Sequence, residues 1–246
     1  MRKKLFKKIL LSFLLVIIIF LLGIVIYMLI PRTASDAAKS KITQPSSNII
    51  TEYNENEIVC SPKNSNPDIG IIFYTGAKIE HYAYGYMLAD LAENNVLCIA
   101  EDNFVHIPFF STQDCDNIFE RFPNINKWYF AGHSLGGEVA DRQALKFQDR
   151  VKGAINLGAH LRQNFSSSSL RLLSIYASND TLANSNVFYM FENNLPQNRA
   201  YFVIEGGCHA YFGDFGTMLT DGVPEITPEE QAQASATQIL KFVTNS

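Results

Sequence analysis

Trp128-Tyr129-Phe130-Ala131-Gly132-His133-Ser134-Leu135-Gly136-Gly137 is the stretch whose reading decides the fold. Four apolar residues run without a polar break, a glycine-flanked serine follows, and a helical pattern then extends over about residues 136–148. A short, continuously apolar run suits a strand buried on both faces. Glycines on either side of Ser134 suit a tight strand-to-helix turn, because they let the two backbones approach closely. G-x-S-x-G in this setting is a nucleophile elbow. The serine is held in a strained turn with its hydroxyl exposed, and the following helix points its first amides at the same place.

The same alternation continues on both sides. Ile71–Tyr74, Val96–Ala100, Gly153–Leu157, Leu172–Tyr176 and Tyr201–Ile204 are short apolar runs like Trp128–Ala131. Helical patterns lie around 81–94, 113–121, 184–194 and 228–244. The last opens with Thr227-Pro228-Glu229-Glu230, an N-cap followed by proline in the first turn. Strands alternating with helices over residues 56–246 predict an α/β domain with a doubly wound, mostly parallel sheet.

A serine hydroxyl needs a base, and the base needs an acid to orient it. In this architecture the chain order is serine, acid, histidine, with the last two on loops after later strands. Asp180 follows Leu172–Tyr176, and His209 follows Tyr201–Ile204 and the turn Glu205–Cys208. Of the five histidines, His81 and His106 precede the serine, His133 lies inside the elbow, and His160 precedes the acid. Asp214 and Glu205 are alternative acids. An oxyanion would take one amide from Leu135 and a second from the loop Thr75-Gly76-Ala77-Lys78, where Ala77 is the candidate. Lys78 either holds an acidic substrate group or is a solvated surface lysine.

These segments resemble the compact α/β-hydrolase family in its dienelactone-hydrolase-like branch. The resemblance is carried by Tyr74–Lys78, by Gly132–Gly137, and by Glu205-Gly206-Gly207-Cys208-His209-Ala210-Tyr211-Phe212-Gly213-Asp214-Phe215-Gly216. It implies Ser134 as nucleophile, Asp180 as acid and His209 as base, with no organic cofactor and no metal. Cys208 departs from the pattern, where an asparagine is common. Only 14 residues separate Leu157 from Leu172. That is too short for an inserted lid, so an open site and small or exposed esters are expected. The same triad also serves acyl transfer and peptide cleavage, and a hydrolase scaffold can act as a binding module without chemistry.

The chain has 246 residues, 47% of them hydrophobic and 18% charged, which excludes a disordered chain. The net charge of −4 is unevenly spread. Residues 1–32 hold six basic side chains and no acidic one, which leaves the remainder at −10. A body of that sign repels phosphate backbones, so no nucleic-acid partner is expected. Ile9–Ile30 is apolar except for Ser12 and Gly23, and at about 1.5 Å per residue it spans roughly 33 Å, enough for a bilayer core. Its basic flank (residues 1–8) predicts a cytoplasmic N-terminus and an external body, anchored through the lipid bilayer. Cleavage as a signal peptide is the alternative, with a weak candidate site at Ser35-Asp36-Ala37. Residues 31–55, with Pro31, Pro45, Ser46 and Ser47, read as a flexible linker. Cys60, Cys98, Cys115 and Cys208 lack paired metal spacing; in an external body a disulfide among them is open.

Overall fold

The computed structural model describes residues 2–54, 56–102, 106–111 and 114–245. Met1, Glu55, Asn103, Phe104, Val105, Thr112, Gln113 and Ser246, which fall inside expected segments, lie outside the described residues. All six expected strands are present. They are β3 (Ile69–Tyr74), β4 (Val96–Glu101), β5 (Lys127–His133), β6 (Val151–Leu157), β7 (Arg171–Ala177) and β8 (Arg199–Ile204). With β1 (Ile49–Tyr53) and β2 (Glu57–Pro62) they form one eight-stranded sheet in the order β1-β2-β4-β3-β5-β6-β7-β8. From β4 to β8 every pairing is parallel, whereas β1·β2 and β2·β4 are antiparallel.

Helices cover both faces, which is why the strands read as unbroken apolar runs. Ile71, Phe73, Tyr129, Ala131, Ile155 and Leu173 turn to one face. There they meet α3 (Gly85–Glu93) and α6 (Pro228–Thr244). Ile72, Tyr74, Phe130, Ala154 and Leu172 turn to the other, against α4 (Cys115–Arg121) and α5 (Leu135–Lys146). Each large apolar side chain sealed in this way contributes about 1.5–3 kcal/mol relative to exposure. The segment 184–194 is a kinked run of 3-10 turns, Ser185–Asn194, rather than an α-helix. The capping box expected at the start of α6 is formed, with Thr227 and Glu230 each bonding the other's backbone.

α1 (Arg2–Leu29) is one helix, and its stretch Phe6–Tyr27 has a mean hydropathy of 3.5. Its described apolar side chains lie exposed, and at its end Tyr27 meets Lys78 of the body. The helix is compatible with a membrane anchor or a signal sequence.

Of the stretch expected as a flexible linker, 31–55, the described residues 31–54 are instead built into the fold. Arg32 pairs with Ile79 in a parallel bridge, the Ala34 amide donates to Glu80 at 2.9 Å, and the Ser35 amide donates to the Asp214 carbonyl at 2.8 Å. Ser35 then caps α2 (Asp36–Thr43), whose Ala38 and Ile42 are fully buried, and β1 follows as the edge strand. Neither element has a pattern strong enough to read locally. α2 has eight residues and buries two, and β1 buries only Ile49. Their order comes from tertiary contact, which overrides propensity in segments this short.

All four cysteines are free and buried; Cys60 and Cys98 face each other across β2 and β4. Burial pushes the Cys60 thiol up to about 12.

α2 sits so close to α3 that a Cβ on Gly85 would come 2.1 Å from the Ala38 carbonyl oxygen. Gly85→Ala adds helix propensity worth up to about 1 kcal/mol, but the backbone clash outweighs it, with a net loss of about 1–3 kcal/mol. Thermal unfolding together with limited proteolysis within residues 31–54 checks this. Destabilisation with earlier cleavage there is expected, and a stabilised, protease-resistant variant would contradict the packing.

Candidate active site

The site gathers at the carboxyl ends of β3, β5, β7 and β8, where a parallel sheet converges on its ligand. Ser134 stands between β5 and α5 at φ 53° and ψ −121°, a conformation that a side-chain-bearing residue holds only when its surroundings impose it. The surroundings do so through backbone contact. A Cβ on Gly132 would sit 2.2 Å from the Gly136 carbonyl oxygen, and one on Gly136 would sit 2.2 Å from that of Tyr74. The Ser134 amide is fixed by the Leu157 carbonyl at 2.9 Å.

Asp180 and His209 come together after β7 and β8. His209 Nδ1–H donates to Asp180 Oδ2 at 2.8 Å. The other oxygen, Oδ1, accepts from the Leu182 and Ala183 amides at 2.8 and 2.7 Å. Three hydrogen bonds thus hold a carboxylate that is only 4% exposed. Donation from Nδ1 leaves Nε2 of a neutral imidazole as the acceptor. The alternative acids are elsewhere: Asp214 accepts from the Ser35 hydroxyl, and Glu205 is exposed. The His209 loop is held from behind by Gln231 of α6, which accepts from the Cys208 amide at 3.0 Å and donates to the Cys208 carbonyl at 2.8 Å.

Ser134, Leu135, Ala77 and His209 line one cavity of about 320 Å³, together with Arg32, Ile79, Glu138, His160, Arg162 and Met218. No hydrogen bond joins Ser134 to His209 among the described residues; a shared cavity with loose contact is common before substrate binds. The amides on either side of Ala77 are occupied. Gly76 N–H donates to the Tyr84 hydroxyl at 2.8 Å, and Lys78 N–H donates to the His106 carbonyl at 2.5 Å. Lys78 itself packs its ammonium over the Tyr27 ring of α1 and bonds the Tyr27 carbonyl.

Sequence reasoning gave His133 no role beyond filling the elbow. Here it is wholly buried, and the Tyr84 hydroxyl donates to its Nδ1 at 2.9 Å. Burial, and then the neighbouring His209, hold His133 well below the usual imidazole range, so it stays neutral. Its ring centroid lies 4.7 Å from that of His209. Tyr84 and His133 therefore link the Gly76–Ala77 loop to the histidine of the Asp180 pair. His81 and His106 lie apart from this chain, both against Asp102, at 3.2 and 2.7 Å. His160 lines the cavity, and burial pushes its imidazole down. Tyr84, Gln231 and Arg32 carried no short-range signal, because each reaches the site from a distant segment.

Comparison with known proteins fits this architecture. Residues 70–233 match the model of the alpha/beta hydrolase family. The match covers about two thirds of the chain, which therefore belongs to that family. Est1E from Butyrivibrio proteoclasticus, solved with ferulic acid bound, is similar in structure, with a TM-score of 0.56 at 14% identity. The match covers 79% of this chain and 96% of that one. A predicted CIB-like hydrolase from Thermoplasma acidophilum has a TM-score of 0.51 at 15% identity, over 78% of this chain and 97% of its own. A search of curated proteins gives no significant match.

Beneath the elbow, Asp141 of α5 is fully buried and accepts from Asn156 Nδ2 at 3.0 and 3.1 Å. Burial pushes its carboxyl from 3.8 up to about 8. The folded chain thus holds this proton more tightly than the unfolded chain. The associated stability is complete below about pH 4 and is lost as pH rises through about 8. Asp141→Asn removes the titration. Tm measured from pH 5 to pH 8 should fall less steeply in the variant than in the wild type, and identical slopes would contradict the assignment.

Proposed function

We propose that this chain is a membrane-anchored serine hydrolase that cleaves a carboxylic ester or a related acyl bond through an acyl-enzyme. The observation that carries the reading is one cavity lined by a strained elbow serine and by a histidine bonded through Nδ1 to a buried carboxylate. In this reading His209 Nε2 takes the proton of Ser134 Oγ as that oxygen attacks the carbonyl carbon. The Leu135 and Ala77 amides hold the oxyanion, and the proton passes to the departing alcohol. Water, deprotonated by the same imidazole, then releases the acid and restores Ser134. Asp180 holds the ring in place and stabilises the imidazolium.

In this proposal α1 spans the bilayer with its basic end in the cytoplasm and the hydrolase domain outside the cell. An intact leader is favoured over cleavage at Ser35–Ala37 by the contacts of Arg32, Ala34 and Ser35 with the body. Cleavage there would strip away a bridge partner and the cap of α2.

Turnover of p-nitrophenyl acetate by the full chain in detergent micelles tests the triad. Ser134→Ala and His209→Ala should lower kcat/KM by about 10³-fold or more, and Asp180→Asn by a comparable order. Tyr84→Phe removes only the hydroxyl that steadies Gly76 and should lower kcat by about tenfold. Wild-type turnover by Ser134→Ala would sink the proposal.

A further inference from the structure

The charges around the catalytic cavity do not cancel. Arg162 and Glu138 both line it, and they neutralise each other through an ion pair at 2.9 Å. Arg32 lines it as well, yet among the described residues no carboxylate lies within ion-pair distance of its guanidinium. That group is half-buried, and its carbon stands 5.8 Å from the centre of the Phe215 ring. A surface arginine would be free to swing into solvent. This one has an anchored backbone: the Arg32 amide donates to the Lys78 carbonyl, and the Arg32 carbonyl accepts from the Glu80 amide at 3.1 Å. Those bonds fix its backbone to the turn and bridge residues 78–80, which directly follow Gly76 and Ala77. The guanidinium thus extends from a backbone anchored beside the proposed oxyanion amides, with the Phe215 ring as its neighbour.

From this geometry we infer that Arg32 forms an anion subsite of the Ser134 cavity, and that the substrate is an ester carrying a carboxylate or phosphate on the same molecule. The inference rests on the hydrolase reading. A half-buried guanidinium in a cavity wall pairs with a planar or tetrahedral oxyanion through forked hydrogen bonds, and so rewards a charged substrate group over a neutral one. Ile79 and Met218 supply apolar wall for the linking carbons. The wider body carries net negative charge, so the preference is a property of this one position and not of long-range attraction.

The test compares monomethyl adipate with dimethyl adipate, the same skeleton with its second carboxyl masked, using the full chain in detergent micelles and following acid release. Wild type should favour the charged ester by about tenfold or more in kcat/KM, and added salt should shrink that ratio. Arg32→Gln should bring the ratio to within about twofold of one, and Arg32→Lys should keep part of it. A parallel pair, dihexanoyl phosphatidate and dihexanoylglycerol, places the anion on a lipid headgroup. The pair that shows the Arg32-dependent preference identifies the source. Hydrolysis of the neutral esters with no charge preference, or a preference that survives in Arg32→Gln, overturns the subsite and leaves the hydrolase reading standing. No turnover of any ester, with Ser134 unreactive towards a fluorophosphonate, overturns both.

Discussion

Backbone packed against backbone around Ser134 is the constraint on which the rest of the site depends. β5 must enter the turn, α5 must leave it, and the end of β3 must lie beneath it, all within the space that a single methyl group would fill. Hydrogen at Gly132 and Gly136 in place of Cβ makes that approach possible, and the approach in turn holds Ser134 at positive φ. Strain stored at one residue is tolerable because two large apolar layers, one on each face of the sheet, hold the framework. Everything else arrives on loops at the same end of the sheet. Asp180 and His209 come after β7 and β8, and Ala77 comes after β3.

A second order of contacts connects these loops to one another. Tyr84 joins Gly76 to His133, and His133 packs on His209. The loop proposed to hold the oxyanion and the proposed base therefore share a buried polar link. The N-terminal segment adds a third layer. Because 31–54 is folded onto the body, the helix that could cross a membrane ends only a few residues before Arg32, in the wall of the same cavity. In the proposed topology the site then lies close to the bilayer surface instead of hanging from a long tether.

Much of this was legible in the sequence, and the reasons are local. The inner parallel strands, β3 to β7, are covered on both faces, so each one is a short run of continuous apolarity, and the glycines flanking Ser134 mark its turn as one of special geometry. Asp180 was reached through chain order and strand ends, and its pairing with His209 is seen in the structure. What stayed hidden depends on distant contacts. Glu57–Pro62 forms the antiparallel strand β2 although only Ile58, Val59 and Cys60 within it are buried. α2 is too short to show a helical period, and Pro31 with the Ser46-Ser47 pair made its surroundings look like a tether. Tyr84 lies within the helical pattern 81–94 with no local mark of a role, and Arg32 is one of the six basic residues of 1–32. Their positions in the site come from the fold.

The central claim is that Ser134 is a nucleophile activated by His209. The most direct measurement is covalent labelling of the full chain with a fluorophosphonate, followed by peptide mass mapping. The account predicts one adduct, on the peptide containing Ser134, abolished in Ser134→Ala and strongly slowed in His209→Ala. An unlabelled wild type, or an adduct on another residue that persists in Ser134→Ala, would contradict it.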